Sequence, residues 1–224
     1  SPLLAGKWLL LFAGVGLITI FVGSMIALTQ RQMKRLLAYS SVVHAGFIAL
    51  GLAGLALLPE VHARAMLEAV LFYLAAYLFM NVGAFAMAAP VERPGSMDEG
   101  RRAYSGRGTT SPVLAAVFSR FLFSRAGIPL TAGFLGKFLI FGALVEARQF
   151  ALAAWGFLGA VVATYYYLKV VVSLYFPHPS EEPAEPPAVP VATWVVLSAT
   201  AAVTLYLGIF PGVLSDIVSG LGIG

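Results

Sequence analysis

The stretch VLAAVFSRFLFSRAGIPLTAGFLGKFLIFGALVEA, residues 113–147, decides the fold predicted for this chain. It has 35 mostly apolar residues, whereas one membrane-spanning helix needs about 20. Pro129 has no N–H, so it cannot bond the carbonyl of Arg125, and it disfavours helical backbone in the residue before it. We therefore predict two half-helices joined by irregular backbone near residues 127–133, with Thr131 available to satisfy some of the freed backbone groups.

Lys137 follows this break closely and is the strongest candidate for chemistry. Irregular backbone at membrane depth is tolerated only inside protein or along a wet cavity, and broken helices mark ion or substrate sites in transporters. A lysine near mid-bilayer costs about 2.5–3.5 kcal/mol on insertion scales, and burial favours the neutral amine. Lys137 is therefore predicted to be a proton-relay residue. The alternative is a lysine that snorkels to an interface, which is disfavoured because an apolar run before Glu146 leaves water about 15 Å away.

The composition excludes most classes of soluble protein. Of 224 residues, 14 are basic and 10 acidic, so 11% are charged and 60% are hydrophobic, against about 25% charged in a soluble domain. So few charges cannot cover the surface of a soluble enzyme of this size. The absence of cysteine excludes thiol chemistry and cysteine-ligated metal or iron–sulfur sites. The excess of basic residues forms no run typical of nucleic-acid binding, so no nucleic-acid partner is expected.

The predicted fold class is all-α: a polytopic membrane helix bundle of about six transmembrane helices, the fourth discontinuous. The whole chain, 1–224, is read as a single membrane domain. A polar loop is predicted at 90–111, and a proline-rich acidic linker at 177–190. Because residue 1 is Ser rather than Met, the chain is expected to be part of a longer polypeptide. The spans are predicted at about 8–28, 36–58, 65–89, 113–147, 150–176 and 191–214.

Basic residues orient this bundle by the positive-inside rule. Eight of them fall on the side of loops 90–111 and 177–190, and three fall on the other. Both loops are therefore predicted to be cytoplasmic, and both ends of the chain to lie outside. The remaining three basic residues are inside the fourth span: Arg120, Arg125 and Lys137.

His44, in the second span, is the second relay candidate. It lies ten residues beyond Lys34, roughly 15 Å deeper along a helix, with Ser40 and Ser41 on the same face. A histidine there can pass protons near neutral pH, although a histidine that only packs remains an alternative. Lys34 is better explained as an interfacial anchor and is kept as a weak relay candidate.

Polar stripes on two further spans leave their roles open. Tyr73, Tyr77 and Asn81 lie at a spacing of four, which suits either interhelical hydrogen bonds or a hydrated path. Tyr77 is the weaker relay candidate from this stripe. The run 165–167, three tyrosines shortly before Lys169, is read mainly as an interfacial belt. In addition, Glu68 is expected to pair with Arg64, four residues earlier.

Arg120 and Arg125 cannot be proton carriers, because arginine keeps its proton at any working pH. Five residues apart on a helix is about 140° of rotation, so the two do not share a face. A structural role and electrostatic tuning of Lys137 both remain open for them.

Four motifs carry a resemblance to a known family. In order they are QMKRLLAYSSVVHAGFIALG (32–51), YLAAYLFMNVGAFAM (73–87), AGIPLTAGFLGKF (126–138) and YYYLKVVVSLY (165–175). Over residues 8–214 the chain resembles the antiporter-like N subunit of bacterial respiratory complex I. Lysine rather than glutamate at 137 argues against the sister M subunit, and Tyr77 in place of a histidine also favours the N subunit.

The resemblance implies a family fold of fourteen transmembrane helices with two inverted five-helix repeats, each with a broken helix that bears a key charge. This chain would be the C-terminal portion, helices 9 to 14, and Lys137 the final lysine of the second half-channel. The chain departs from the family at Arg120 and Arg125, where the family usually has aliphatic residues.

The resemblance also implies a function. The chain is expected to be a proton-translocating membrane subunit of NADH:quinone oxidoreductase, in the bacterial inner membrane, without redox chemistry of its own. NADH, FMN, iron–sulfur clusters and quinone would be bound by partner subunits, and the other partners would be sister antiporter-like subunits and the lipid bilayer. The alternative is a subunit of a multisubunit Na⁺/H⁺ antiporter, which the identity of the co-purifying subunits distinguishes.

Overall fold

The computed structural model describes residues 2–55, 60–91, 102–176 and 187–212. Within these ranges the regular structure is helical, with one short 3₁₀ turn at Arg102–Tyr104. The α-helices are α1 Pro2–Thr29, α2 Met33–Leu55, α3 Glu60–Val91, α4 Arg107–Thr110, α5 Pro112–Ala126, α6 Ala132–Glu146, α7 Phe150–Tyr175 and α8 Val191–Ile209.

Five of the described helices are long and apolar enough to cross a membrane: α1, α2, α3, α7 and α8. The fourth predicted span is occupied by α5 and α6, two consecutive helices of 15 residues each. The prediction of a polytopic helical membrane bundle with a discontinuous fourth span is therefore confirmed. The last helix ends at Ile209, and the predicted end of that span at 214 lies outside the described residues.

Small residues set the distance between α1 and α2, which pack along their length. A methyl group added at Gly46 would meet the backbone oxygen of Gly16 at 2.9 Å, and one added at Gly23 would meet the side chain of Val43 at 2.9 Å. Both helices are apolar on most sides, so an amphipathic pattern cannot choose their contact face. Close backbone approach through small residues chooses it instead, as in other membrane bundles.

The second half of the predicted loop 90–111 contains the 3₁₀ turn Arg102–Tyr104 and the short helix α4. Tyr104 is buried and stacks on Phe118 of α5, with ring centroids 5.3 Å apart. The amide of Gly106 donates to the carbonyl of Ser173 on α7 at 3.1 Å. These contacts pack this part of the loop against α5 and α7. Residues 92–101 of the loop and 177–186 of the proline-rich linker lie outside the described residues.

The break between α5 and α6 occupies residues 127–131. Gly127 has a φ of 86° and its amide donates to the carbonyl of Phe123 at 3.0 Å, which ends α5 in the left-handed conformation typical of glycine. Leu130 has a φ of 70°, an uncommon conformation for a residue with a side chain. Thr131 then begins α6, because its hydroxyl accepts a hydrogen bond from the amide of Phe134 at 3.3 Å. The predicted role of Thr131 is confirmed.

Gly133 is where the two half-helices pack most tightly. A methyl group built on Gly133 would overlap the backbone carbonyl of Ser124 at the end of α5. The Gly133 amide also donates to the Ser124 hydroxyl at 3.3 Å. Because the opposing atom belongs to backbone, the space cannot be made by turning a side chain.

The contact at Gly133 gives a stability prediction. Gly133→Ala should lower the stability of the folded protein by about 1–3 kcal/mol, the usual cost of overpacking. Thermal unfolding of the purified protein in detergent measures the change. Gly142→Ala on the same helix is the matched control, because a methyl group there has no neighbour within 4 Å among the described residues. Equal unfolding temperatures for the two variants would show that the two half-helices do not pack in this way.

Candidate functional site

Lys137 points back from α6 toward the break and is 4% exposed. Its Nζ donates to the carbonyl of Arg125 at 2.8 Å and to the carbonyl of Ala126 at 3.3 Å. These are the last two residues of α5. The side chain therefore ends inside the protein, and the snorkelling alternative is wrong.

These two carbonyls need a donor because of the break itself. The last carbonyls of a helix have no intrahelical partner, and the residue four positions after Arg125 is Pro129, which has no N–H. The ammonium of Lys137 supplies the missing donor, and the hydroxyl of Thr164 on α7 adds a second bond to the Ala126 carbonyl at 3.0 Å. A cation at the C-terminal end of a helix is also favoured by the helix dipole. Lys137 therefore closes the end of α5.

Phe47 connects the surroundings of Lys137 to those of His44. The ring centroid of Phe47 lies 5.2 Å from Lys137 Nζ, a distance at which the face of an aromatic ring attracts a cation. The same ring packs edge-on against His44, with centroids 6.4 Å apart. Lys137 and His44 thus share a neighbour, and among the described residues no polar side chain bridges them directly.

His44 is 2% exposed and has a tyrosine hydroxyl at each ring nitrogen. Its Nδ1 lies 2.5 Å from the hydroxyl of Tyr73 on α3, and its Nε2 lies 3.4 Å from the hydroxyl of Tyr167 on α7. The ring also packs on Tyr77, with centroids 5.2 Å apart. Side chains from two other helices, α3 and α7, therefore hold the imidazole.

Arg125 is fully buried at the far side of Tyr167 and joins four helices. Its Nε donates to the Tyr167 hydroxyl at 2.8 Å, and its Nη1 donates to Asn81 Oδ1 on α3 at 2.5 Å. Its Nη2 donates to the Ser40 hydroxyl at 2.7 Å and to the Leu37 carbonyl at 3.2 Å, both on α2. In the part of the chain that the structure describes, all the hydrogen-bond acceptors of this guanidinium are neutral oxygens.

Two cationic side chains are thus buried in this cluster, and among the described residues no buried acidic side chain pairs with them. Among the described residues, the buried polar set contains Arg125 and Lys137 but no aspartate or glutamate. The pair Arg64–Glu68, with Nε 3.3 Å from Oε1, lies at the surface and confirms the predicted contact. A buried charge is costly unless it is hydrogen-bonded, and here main-chain carbonyls, hydroxyls and one amide oxygen make those bonds.

The structure brings some of the predicted site residues together and separates others. Lys137 and His44 lie in one buried cluster, with Tyr77 half-buried at its side. Tyr73 and Asn81 from the same stripe make interhelical hydrogen bonds. Lys34 is exposed at the start of α2, roughly 15 Å along the helix from His44, and does not join the buried cluster.

The interfacial belt predicted for residues 165–167 is wrong for two of its three tyrosines. Tyr165 is 61% exposed, whereas Tyr166 and Tyr167 are buried. Consecutive residues on a helix are rotated by about 100°, so a run of three tyrosines cannot occupy one face. The helical rotation alone therefore indicates that at least one of the three tyrosines faces away from the others. Ser124 and Thr164, which bond to the break, were not singled out by the sequence.

The sequence matches a known protein family over most of its length. Residues 1–163 match the family described as NADH:quinone oxidoreductase/Mrp antiporter, TM. The chain is 42% identical over 178 residues to "NADH-quinone oxidoreductase subunit N" of Paramagnetospirillum magneticum, covering 80% of this chain and 35% of that protein. It is 44% identical over 168 residues to "NADH-quinone oxidoreductase subunit N 3" of Streptomyces griseus, covering 75% of this chain and 29% of that protein. The chain therefore spans about a third of the length of these relatives.

Two solved structures have similar folds. A chain of respiratory complex I from Thermus thermophilus superposes with a TM-score of 0.72 at 30% identity, over 91% of this chain and 44% of that chain. A chain of the Mrp complex from Dietzia sp. superposes with a TM-score of 0.76 at 23% identity, over 92% and 45%. The second likeness concerns the fold alone.

The bonds around Arg125 give a second stability prediction. Asn81→Leu leaves Nη1 of Arg125 without its acceptor, which should cost about 1–3 kcal/mol or more because the donor is charged. Adding Arg125→Leu should recover most of that loss, since replacing both buried partners by apolar groups is often neutral. Thermal unfolding of the single and double variants measures both effects. Val82→Ala, at a partly exposed neighbour on α3, is the control. A double variant less stable than Asn81→Leu alone would contradict the pairing.

Proposed function

The chain belongs to the NADH:quinone oxidoreductase/Mrp antiporter membrane family, and we propose that it is a proton-translocating membrane subunit of NADH:quinone oxidoreductase, a translocase complex. The resemblance to the N subunit is confirmed by the relatives that match most of the chain. The observation that carries the proposal is the buried ammonium of Lys137, held by two carbonyls at the end of a broken helix.

Lys137 is assigned as a proton carrier because two opposing effects act on its amine. Burial disfavours the ammonium form, whereas the carbonyls of Arg125 and Ala126 and the dipole of α5 favour it. When opposing effects of this kind nearly balance, a change in a nearby charge decides whether the proton stays. No acid lies beside Lys137 among the described residues. We therefore assign the switching charge to another part of the assembly.

His44 is assigned as the second carrier, since a neutral imidazole can accept a proton at one nitrogen while it releases one from the other. The hydroxyls of Tyr73 and Tyr167 lie at its two nitrogens. Phe47 packs against both His44 and Lys137, so a proton that passes between them needs a bridging water. Tyr77 supports the imidazole by ring packing, and Lys34 stays a weak candidate at the start of α2.

The redox chemistry is assigned to partner subunits. In this proposal NADH, FMN, the iron–sulfur clusters and quinone are bound there, and their energy reaches this chain as an electrostatic or conformational change. Sister antiporter-like membrane subunits and the lipid bilayer are the other partners. We place the chain in the bacterial inner membrane with loops 90–111 and 177–190 cytoplasmic and both ends outside, on the evidence of the distribution of basic residues.

Substitution of Lys137 tests the proposal. Lys137→Ala in the assembled complex should abolish most NADH-driven proton uptake by inverted membrane vesicles, because the buried amine is removed. Lys137→Arg should not restore uptake, since arginine keeps its proton. Proton uptake and NADH oxidation are measured in the same vesicles, with assembly checked by native electrophoresis. Lys169→Ala, at an exposed lysine on α7, is the matched control.

Two results would overturn the proposal. Normal proton uptake in a normally assembled Lys137→Ala complex would leave Lys137 with a structural role only. Co-purification of the chain with antiporter subunits, and with no flavin or iron–sulfur subunit, would favour the Na⁺/H⁺ antiporter alternative. That alternative has support from the family description, which names both kinds of complex.

A further inference from the structure

We propose that Arg125 is a positioning residue that sets the direction of the hydrogen-bond chain through His44, and so decides which nitrogen of the neutral imidazole carries the proton. The inference rests on the proposed function, because it concerns the histidine assigned there as a proton carrier. It concerns a residue whose role the resemblance to the family left open.

The hydrogen-bond chain consists of four side chains, each from a different helix. Arg125 Nε on α5 is 2.8 Å from the hydroxyl of Tyr167 on α7. That hydroxyl is 3.4 Å from His44 Nε2 on α2, and His44 Nδ1 is 2.5 Å from the hydroxyl of Tyr73 on α3. All four side chains are at most 2% exposed.

Without Arg125, the donors and acceptors in this hydrogen-bond chain could be ordered in either direction. In one direction Tyr167 donates to Nε2 of His44, and Nδ1–H donates to Tyr73. In the other, Tyr73 donates to Nδ1, and Nε2–H donates to Tyr167. Each direction leaves one hydroxyl hydrogen without an acceptor among the described residues, that of Tyr73 in the first case and that of Tyr167 in the second. Counting hydrogen bonds alone therefore does not choose between them.

Arg125 determines the direction of the hydrogen-bond chain, because its guanidinium can donate but never accept a hydrogen bond. The oxygen of Tyr167 accepts from Nε of Arg125, and a bond from a cation makes the hydroxyl a stronger donor and its oxygen a weaker acceptor. Tyr167 is thereby directed to donate to Nε2 of His44. Neutral His44 then carries its proton on Nδ1 and donates it to Tyr73.

The guanidinium is held in one orientation by its other hydrogen bonds. Asn81 holds Nη1, and Ser40 and the Leu37 carbonyl hold Nη2, so the plane of the group is fixed from two other helices. Arg125 therefore closes one end of the chain to proton exchange, since it does not release a proton. The open end is the hydroxyl of Tyr73, a residue whose main chain and Cβ pack against Gly136, next to Lys137 on α6.

Nitrogen-15 NMR of His44 tests the inference directly, because a protonated and an unprotonated ring nitrogen give different signals. The purified complex is labelled in histidine, and the His44 signals are obtained by difference from a His44→Gln sample. The expected result is a proton on Nδ1 in the wild type and in Arg125→Lys, which keeps a donor-only cation, and a shift of proton population toward Nε2 in Arg125→Leu. A proton on Nε2 in the wild type, or an identical tautomer in Arg125→Leu, would overturn it.

Proton uptake by the assembled complex supplies the functional test. Arg125→Leu should reduce the rate of NADH-driven uptake by a factor of about 2 to 30, the range for residues that act through a hydrogen-bond network. Arg125→Lys should retain it. Tyr167→Phe should cause the same loss, and the double variant no further loss, because Arg125 acts through the Tyr167 hydroxyl.

Arg120→Leu is the matched control on the same helix, because Arg120 makes no hydrogen bond or ion pair with the residues that the structure describes. Its uptake should equal that of the wild type. Wild-type uptake in Arg125→Leu, or losses that multiply in the double variant, would contradict the inference. Either result leaves the proposed function standing if Lys137→Ala stops uptake, so the two failures are distinguishable.

Discussion

At the end of α5, two main-chain carbonyls have lost their amide donors, and one buried ammonium replaces them. Pro129 removes the N–H that would bond the Arg125 carbonyl, and Lys137 reaches back across the break to within 2.8 Å of it. In a membrane an unsatisfied carbonyl is costly, so the break and the lysine require each other. The same contact joins α6 to the end of α5, close to where Gly133 packs against the Ser124 carbonyl.

The electrostatics of the core follow from that arrangement. Arg125 and Lys137 are both buried, and their main-chain and side-chain contacts are with neutral groups among the described residues. Lys137 bonds the main-chain carbonyl of Arg125 itself, and of the two side chains only a lysine is able to release a proton at working pH. Arg125 instead orients hydroxyls through its hydrogen bonds to Tyr167 and Ser40. In the proposed function, Lys137 releases and regains its proton beside a cation that does not, and this pair moves a proton in response to a distant charge.

The local features were predictable from the sequence, and the contacts between helices were not. Pro129 predicts both the break and the free carbonyl of Arg125, because both effects depend only on neighbouring residues in the sequence. The partner of that carbonyl depends on how α6 folds back, which no spacing encodes. Arg125 stayed unexplained for the same reason: its acceptors Asn81 and Ser40 are 44 and 85 residues away. The prediction of an interfacial belt at residues 165–167 was wrong because it rested on composition. Helical rotation turns Tyr167 toward the protein interior.

Hydrogen–deuterium exchange at the break measures most directly whether Lys137 closes α5. Lys137→Met keeps an apolar side chain of similar length but removes the donor of the Arg125 and Ala126 carbonyls. Exchange of the amides at residues 127–133 should become faster in this variant than in the wild type, while exchange in α8 stays the same. Unchanged exchange at 127–133 would contradict the account, because it would show that the end of α5 does not depend on the ammonium.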